Sequence, residues 1–121
     1  MARDGFGPHA KFHALIAEWD GQPAGYALFF DFYSTWTGRH MFLEDLFVRS
    51  QFRRKGIGKR LLAQVADIAR QEECKTMRWE VLAWNQPAID MYRALGAEFL
   101  DDWKLMLLRS KPLHDLADGA E

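Results

Sequence analysis

Between Met41 and Glu73 the chain changes its apolar period, and that change limits its fold more than any other feature. Residues 41–48, MFLEDLFV, are apolar except for Glu44 and Asp45, which reads as a strand buried on both faces. From Gly56 to about Glu73 the spacing becomes helical, with Ile57, Leu61, Val65 and Ile68 on one stripe. Residues 76–84, TMRWEVLAW, return to a strand pattern. A strand, a glycine-containing turn, a helix and a second strand in that order make a right-handed parallel crossover.

The flanking segments complete an α/β pattern. Residues 11–19 and 24–33 read as two strands of a hairpin around the DGQP turn, with STWTGRH as the following loop. Asn85 can cap a short helix, Pro87 suits its first turn, and Gly96 ends it. Residues 103–109, WKLMLLR, are expected to form a last strand, and residues 111–121 a flexible tail. The order is β-β-β-α-β-α-β, a mixed sheet in a single domain, as 121 residues allow.

Composition narrows the class of protein. Hydrophobic residues make up 49% and charged residues 27%, as in a globular domain, and the lone Cys74 rules out a disulfide framework within the chain. No apolar stretch approaches the roughly 18 residues of a membrane span, and no apolar signal core follows Met1. A cytoplasmic domain with no membrane partner is expected. The net charge of −1 gives no general field for nucleic acid, although Arg49, Arg53, Arg54, Lys55, Lys59 and Arg60 form a basic run without an acid.

Arg53-Arg54-Lys55-Gly56-Ile57-Gly58 stands where an apolar strand gives way to a helix. Glycines there let the backbone approach a ligand closely, and the first-turn N–H groups lie at the positive end of the helix dipole. Basic side chains beside such a terminus suit a pyrophosphate. The alternative is a solvated basic helix start. The spacing fits neither a Walker loop nor the dinucleotide fingerprint, since Arg60 follows Lys59 and Leu61 holds the third glycine's place.

R-x-x-G-x-G after an apolar strand resembles the acetyl-CoA loop of the GNAT acetyltransferase superfamily. The stretches YSTWTGR, FLEDLFV, GIGKRLL and WNQPAIDMYRALGA are similar to those of the diamine (spermidine/spermine) N-acetyltransferases, over roughly residues 4 to 109. Ser34-Thr35-Trp36 looks closer to the thialysine-preferring branch than to the polyamine branch, where an acid is expected near Ser34. The resemblance implies a GNAT-like fold, acetyl-CoA as co-substrate, no metal, a small-molecule amine as acceptor, and a homodimer. It also implies that Arg53, Arg54, Lys55, Gly56, Ile57, Gly58 and Lys59 hold the pyrophosphate.

Other roles follow by resemblance, beside plainer readings. Glu44 would accept the proton of the attacking amine and Asp45 would contact that amine; an alkylammonium near lysine's pKa must lose a proton before it can attack. Adjacent strand residues point to opposite faces, so at most one of the two is expected in any one cleft, and the plainer reading of the two acids is a bulge or a sheet-rim pair. Leu46, Phe47 and Val48 are core side chains by default, but their backbone N–H groups would bind the thioester carbonyl and the pantetheine arm. Tyr92 reads as amphipathic packing or, by resemblance, as the acid that protonates the departing thiolate. Asn85 and Pro87 would contact the pantetheine region. Trp36, Asp101 and Trp103 would line the acceptor site, while Trp79 and Trp84 read as core. His9, His13, His40 and His114 lack metal-ligand spacing, and Cys74 has no CxxC partner.

The family usually carries a strand and two helices ahead of the equivalent of residue 4, where this sequence has ARDGFG. Those helices form one wall of the acceptor groove, so a truncated chain or a wall supplied by a partner is expected. Three functions are thereby opened: an N-acetyltransferase, a non-catalytic acyl-CoA-binding module, and a nucleic-acid binder using residues 49–60. The acidic remainder of the chain speaks against the last.

Overall fold

The computed structural model describes residues 11–120, which fall into two units that divide after Glu80. In the first, β1 (His13–Trp19) and β2 (Gln22–Ser34) are antiparallel, with Trp19 opposite Gln22. Asp20 and Gly21 both take positive φ, 51° and 77°. That is the two-residue turn whose twist matches the strands it joins, and Asp-Gly is suited to it.

β2 continues antiparallel into β3 (Gly38–Val48). The loop expected over residues 34–40 is a tighter turn, so that Arg39 and His40 already belong to β3. Ser34 makes this possible, its Oγ accepting the N–H groups of Trp36 at 3.2 Å and Thr37 at 3.3 Å. At the other end of the pair the strands come very close. A Cβ on Gly25 would lie 2.5 Å from the Phe47 carbonyl oxygen.

After a 3-10 turn at Ser50–Phe52, α1 (Ile57–Gln71) packs across the three strands. Three of the four stripe residues are buried, Ile57, Leu61 and Val65, together with Leu62 and Ala69. They form the core with Ala27, Phe29, Met41 and Leu43 on one face of the sheet. The other face carries Tyr26, Leu28, Phe30, Phe32, Phe42 and Phe47, all only partly buried or exposed. The expected burial of 41–48 on both faces is therefore not found: α1 covers one face, and the rings of the second pack on each other, Tyr26 with Phe47 and Phe30 with Phe42.

β4 is Met77–Arg78, parallel to β3 through Met41↔Met77 and Phe42↔Arg78, and completes the order β1-β2-β3-β4. The strand expected over 76–84 is thus reduced to two residues. Its ladder stops just before β3 takes in an extra residue at Glu44, between the pairs Phe29↔Leu43 and Leu28↔Asp45. Such a bulge bends the strand that carries it, away from a parallel neighbour's straight path.

The second unit holds α2 (Gln86–Ala94) and α3 (Ser110–Asp118). Asn85 caps α2 as expected, Oδ1 accepting the Ala88 N–H at 3.4 Å, with Pro87 in the first turn. Gly96, at φ 98°, closes it: Gly96 donates to the Arg93 carbonyl and Ala97 to that of Tyr92. The last strand, expected at 103–109, is irregular backbone, and α3 takes in residues 111–118 of the expected tail. An apolar run supplies side chains for a strand but no ladder partner, and among the described residues none pairs with it. Trp84, expected in the core, is 77% exposed, while Trp79 is half-buried.

Candidate active site

The bulge rearranges the acidic pair. Glu44 and Asp45 both line one open cleft of about 650 Å³, with Lys11, Phe12, Leu28 and Phe30. Strand alternation alone would send the two carboxylates to opposite faces, so the expectation that only one could face a given cleft is overturned. The inserted residue breaks the two-residue period at that step and returns Asp45 to the side that Glu44 occupies. Leu28 and Phe30, two apart on β2, give the cleft an apolar wall beside its two acids. The Tyr26 hydroxyl donates to Asp45 Oδ2 at 3.0 Å, and that bond holds the Tyr26 pKa above the ordinary phenol value. Glu44 has no side-chain hydrogen bond among the described residues.

The same bulge sets the backbone of the next residues. Met41 donates its N–H to the Thr76 carbonyl on the β4 side, whereas Arg49 donates to Ala24 on the β2 side. Eight residues separate them, an even number that unbroken alternation would give the same direction; the extra residue accounts for the change. Counting back from Arg49, Phe47 points its N–H at β2, and Val48 and Leu46 point theirs at the opposite edge. Beyond Phe42 no described strand pairs with that edge. Of the three backbone groups named from the sequence, Leu46 and Val48 are therefore available to a ligand and Phe47 is committed to the sheet.

The basic loop follows at once. Arg54 and Gly56 take left-handed conformations, φ 65° and 76°, and Gly56 is the N-cap of α1 with no side-chain cap. The first bond of the helix is from Arg60 N–H to Gly56, leaving the Ile57, Gly58 and Lys59 N–H groups in the uncapped turn ahead of it. Arg53 Nε donates to the Val48 carbonyl at 3.2 Å, and Lys55 Nζ sits 4.9 Å over the Trp19 ring. Gly58 lies where a Cβ would be 3.6 Å from Val48 Cγ2, ordinary contact. An exposed helix start with small residues, unspent donors and cations fits a pyrophosphate, and the free edge of β3 adjoins it along the chain.

Trp36, at the β2–β3 turn, is 94% exposed and is not among the residues lining the acidic cleft. Tyr92, on α2, is half-buried, and burial pushes its hydroxyl pKa up. Asp101 and Trp103 lie in the irregular stretch of the second unit, Trp103 being 77% exposed. Among the described residues no group of His, Cys, Asp and Glu could hold a metal, and no helix is long and apolar enough to cross a membrane. His9 lies outside the described residues. Sequence reasoning missed Leu28 and Phe30 as cleft residues, and Tyr26 as the partner of Asp45. Their alternate spacing was a usable signal, but assigning them to the acids needed the bulged register.

Comparison with known proteins bears on the family and the fold. The acetyltransferase (GNAT) family model matches residues 2–97. The thialysine N-epsilon-acetyltransferase of Sus scrofa is 38% identical over 128 residues, covering 97% of this chain and 75% of that protein. The spermidine/spermine N(1)-acetyltransferase-like protein 1 of Homo sapiens is 34% identical, covering 97% of this chain and 18% of that one. Among solved structures, an integron cassette protein from V. cholerae superposes with a TM-score of 0.82 at 26% identity, over 93% of this chain and 70% of its own. An aminoglycoside N-acetyltransferase in complex with CoA superposes at 0.70 and 26% identity, over 84% and 77%.

Proposed function

We propose, for a chain that belongs to the GNAT acetyltransferase family and so uses acetyl-CoA as its donor, that the acceptor is a small primary amine of the thialysine or lysine-like type. The observation that carries this is the pair of carboxylates on one wall of a cleft with an apolar side, which suits an ammonium group on an alkyl arm. The relatives named for thialysine support the same class.

In this reading Glu44 takes a proton from the ammonium, directly or through water, while Asp45 holds the amine. The Leu46 and Val48 N–H groups donate to the thioester carbonyl oxygen and stabilise the charge that grows there. Arg53, Arg54, Lys55 and the backbone from Gly56 to Lys59 bind the pyrophosphate. The amine nitrogen adds to the acetyl carbon to give a tetrahedral oxyanion, and the carbon–sulfur bond then breaks to release the thiolate. Tyr92, in the second unit, carries the family's role of returning a proton to the thiolate, with Asn85 and Pro87 as pantetheine contacts. Trp36, Asp101 and Trp103 are proposed as acceptor contacts. A cytoplasmic homodimer belongs to the same reading, and light scattering giving the monomer mass would remove the dimer.

The test follows CoA thiol release from acetyl-CoA with thialysine, lysine, spermidine and short diamines, in the parent, Glu44→Gln and Tyr92→Phe. Amine-dependent release with thialysine or lysine foremost is expected, with kcat reduced about a hundredfold in each variant. Acetyl-CoA binding without release on any amine would replace this reading with a binding module.

A further inference from the structure

Two carboxylates on one cleft wall are chemically alike, and the roles given to Glu44 and Asp45 require that something make them different. The described residues contain one such difference. Tyr26 lies on β2 directly opposite Phe47, which makes Asp45 its diagonal neighbour on the same sheet face. Its ring packs on Phe47 with centroids 5.5 Å apart, and its hydroxyl donates to Asp45 Oδ2 at 3.0 Å. No corresponding donor reaches Glu44 among the described residues. Tyr26 does not itself line the cleft.

We infer that Tyr26 is a positioning residue of the acceptor site: its hydroxyl occupies one oxygen of Asp45 so that the other faces the ammonium group, and Glu44 keeps both oxygens for the proton. The inference rests on the proposal that these carboxylates meet the amine. A pinned carboxylate loses less rotational freedom when it binds a cation, and its anchored oxygen cannot turn to compete for the proton. The Phe47 ring supplies the stiffness, since it holds the phenol from the side while the hydrogen bond holds it at the tip. The bulge also makes the contact possible, because without the extra residue Asp45 would lie on the face opposite to Tyr26.

The test is a double-mutant cycle on the active protein, reading KM for thialysine, or for the panel amine with the highest kcat/KM. Tyr26→Phe keeps the ring on Phe47 and removes only the hydroxyl. It is expected to raise the amine KM about fivefold. The acetyl-CoA KM and kcat are expected to stay within about twofold, as a purely structural role would not allow. Asp45→Ala alone is expected to raise the amine KM about tenfold. Adding Tyr26→Phe to Asp45→Ala is expected to change nothing further. If Asp45→Ala raises the amine KM and Tyr26→Phe does not, or if the two effects simply add, the positioning role is overturned and the amine reading stands. If Asp45→Ala leaves the amine KM unchanged, the proposed amine contact fails and takes the role of Tyr26 with it.

Discussion

The Thr76 hydroxyl lies 2.7 Å from Nδ1 of His40, and the Thr37 hydroxyl lies 2.7 Å from Nε2 of the same ring. His40 is 1% exposed and stacks on Phe32, so β3 is tied to the approach of β4 by a buried imidazole. Burial lowers its pKa below the ordinary histidine value, and the Arg78 guanidinium lowers it further.

A base whose pKa is depressed by folding binds fewer protons folded than unfolded, so its contribution is intact above the unfolded value of about 6.5 and is lost as pH falls toward the folded one. The melting temperature is therefore expected to drop between about pH 7 and pH 5, with part of that slope absent in His40→Gln. Calorimetry at several pH values checks this; an equal slope in both proteins would show that His40 does not titrate in that window.

Gly58→Ala separates stability from donor binding. The added Cβ meets Val48 Cγ2 at 3.6 Å, which needs no rearrangement, and alanine in a helix's first turn is worth about 0.5 kcal/mol or more over glycine. Stability should be kept or slightly raised. The methyl stands at the turn proposed to receive the pyrophosphate, so the acetyl-CoA KM is expected to rise about tenfold or more. Steady-state kinetics beside a thermal melt would show the split.

Arg54 holds a left-handed conformation that side chains other than glycine adopt at a cost. Arg54→Gly removes that strain while adding freedom to the unfolded chain, and the two offset to within about 1 kcal/mol. Acetyl-CoA binding should nonetheless weaken several-fold and become less sensitive to salt, because a cation beside the helix start is gone. A denaturant melt and a KM series in salt would measure both.

Asn85→Ala removes the cap of α2 and should cost about 1 kcal/mol. Helices of nine residues depend on such ends, and this one carries Tyr92. If Asn85 also touches the donor, the acetyl-CoA KM should rise beyond what Asn85→Ser, which keeps a cap, produces. Equal KM values for the two variants would leave Asn85 with the cap alone.

Much of this was legible in the residues. The stripe of α1, the Asp20-Gly21 hairpin, the Asn85 cap and the Gly96 stop are local signals, each written within a few residues and enforced by backbone geometry or one helical face. So was the basic loop, because a glycine turn between a strand and a helix does its work locally. Residues 103–109 show the limit: their apolar run is strand-like, yet a strand exists only where a second one accepts its hydrogen bonds, and the run carries no information about that.

The acidic cleft belongs to tertiary structure. The acidic pair in FLEDLFV allows a bulge but does not say which residue is extra, since a bulge is defined by the strand opposite. Pairing with β2 leaves Glu44 over, and from that one residue follow the shared face of the two carboxylates, the outward N–H groups of Leu46 and Val48, the end of the β4 ladder and the reach of Tyr26 to Asp45. The sequence determined which groups the protein carries and the local elements that present them. Register between distant strands, which is settled by packing and pairing together, decided which of those groups meet.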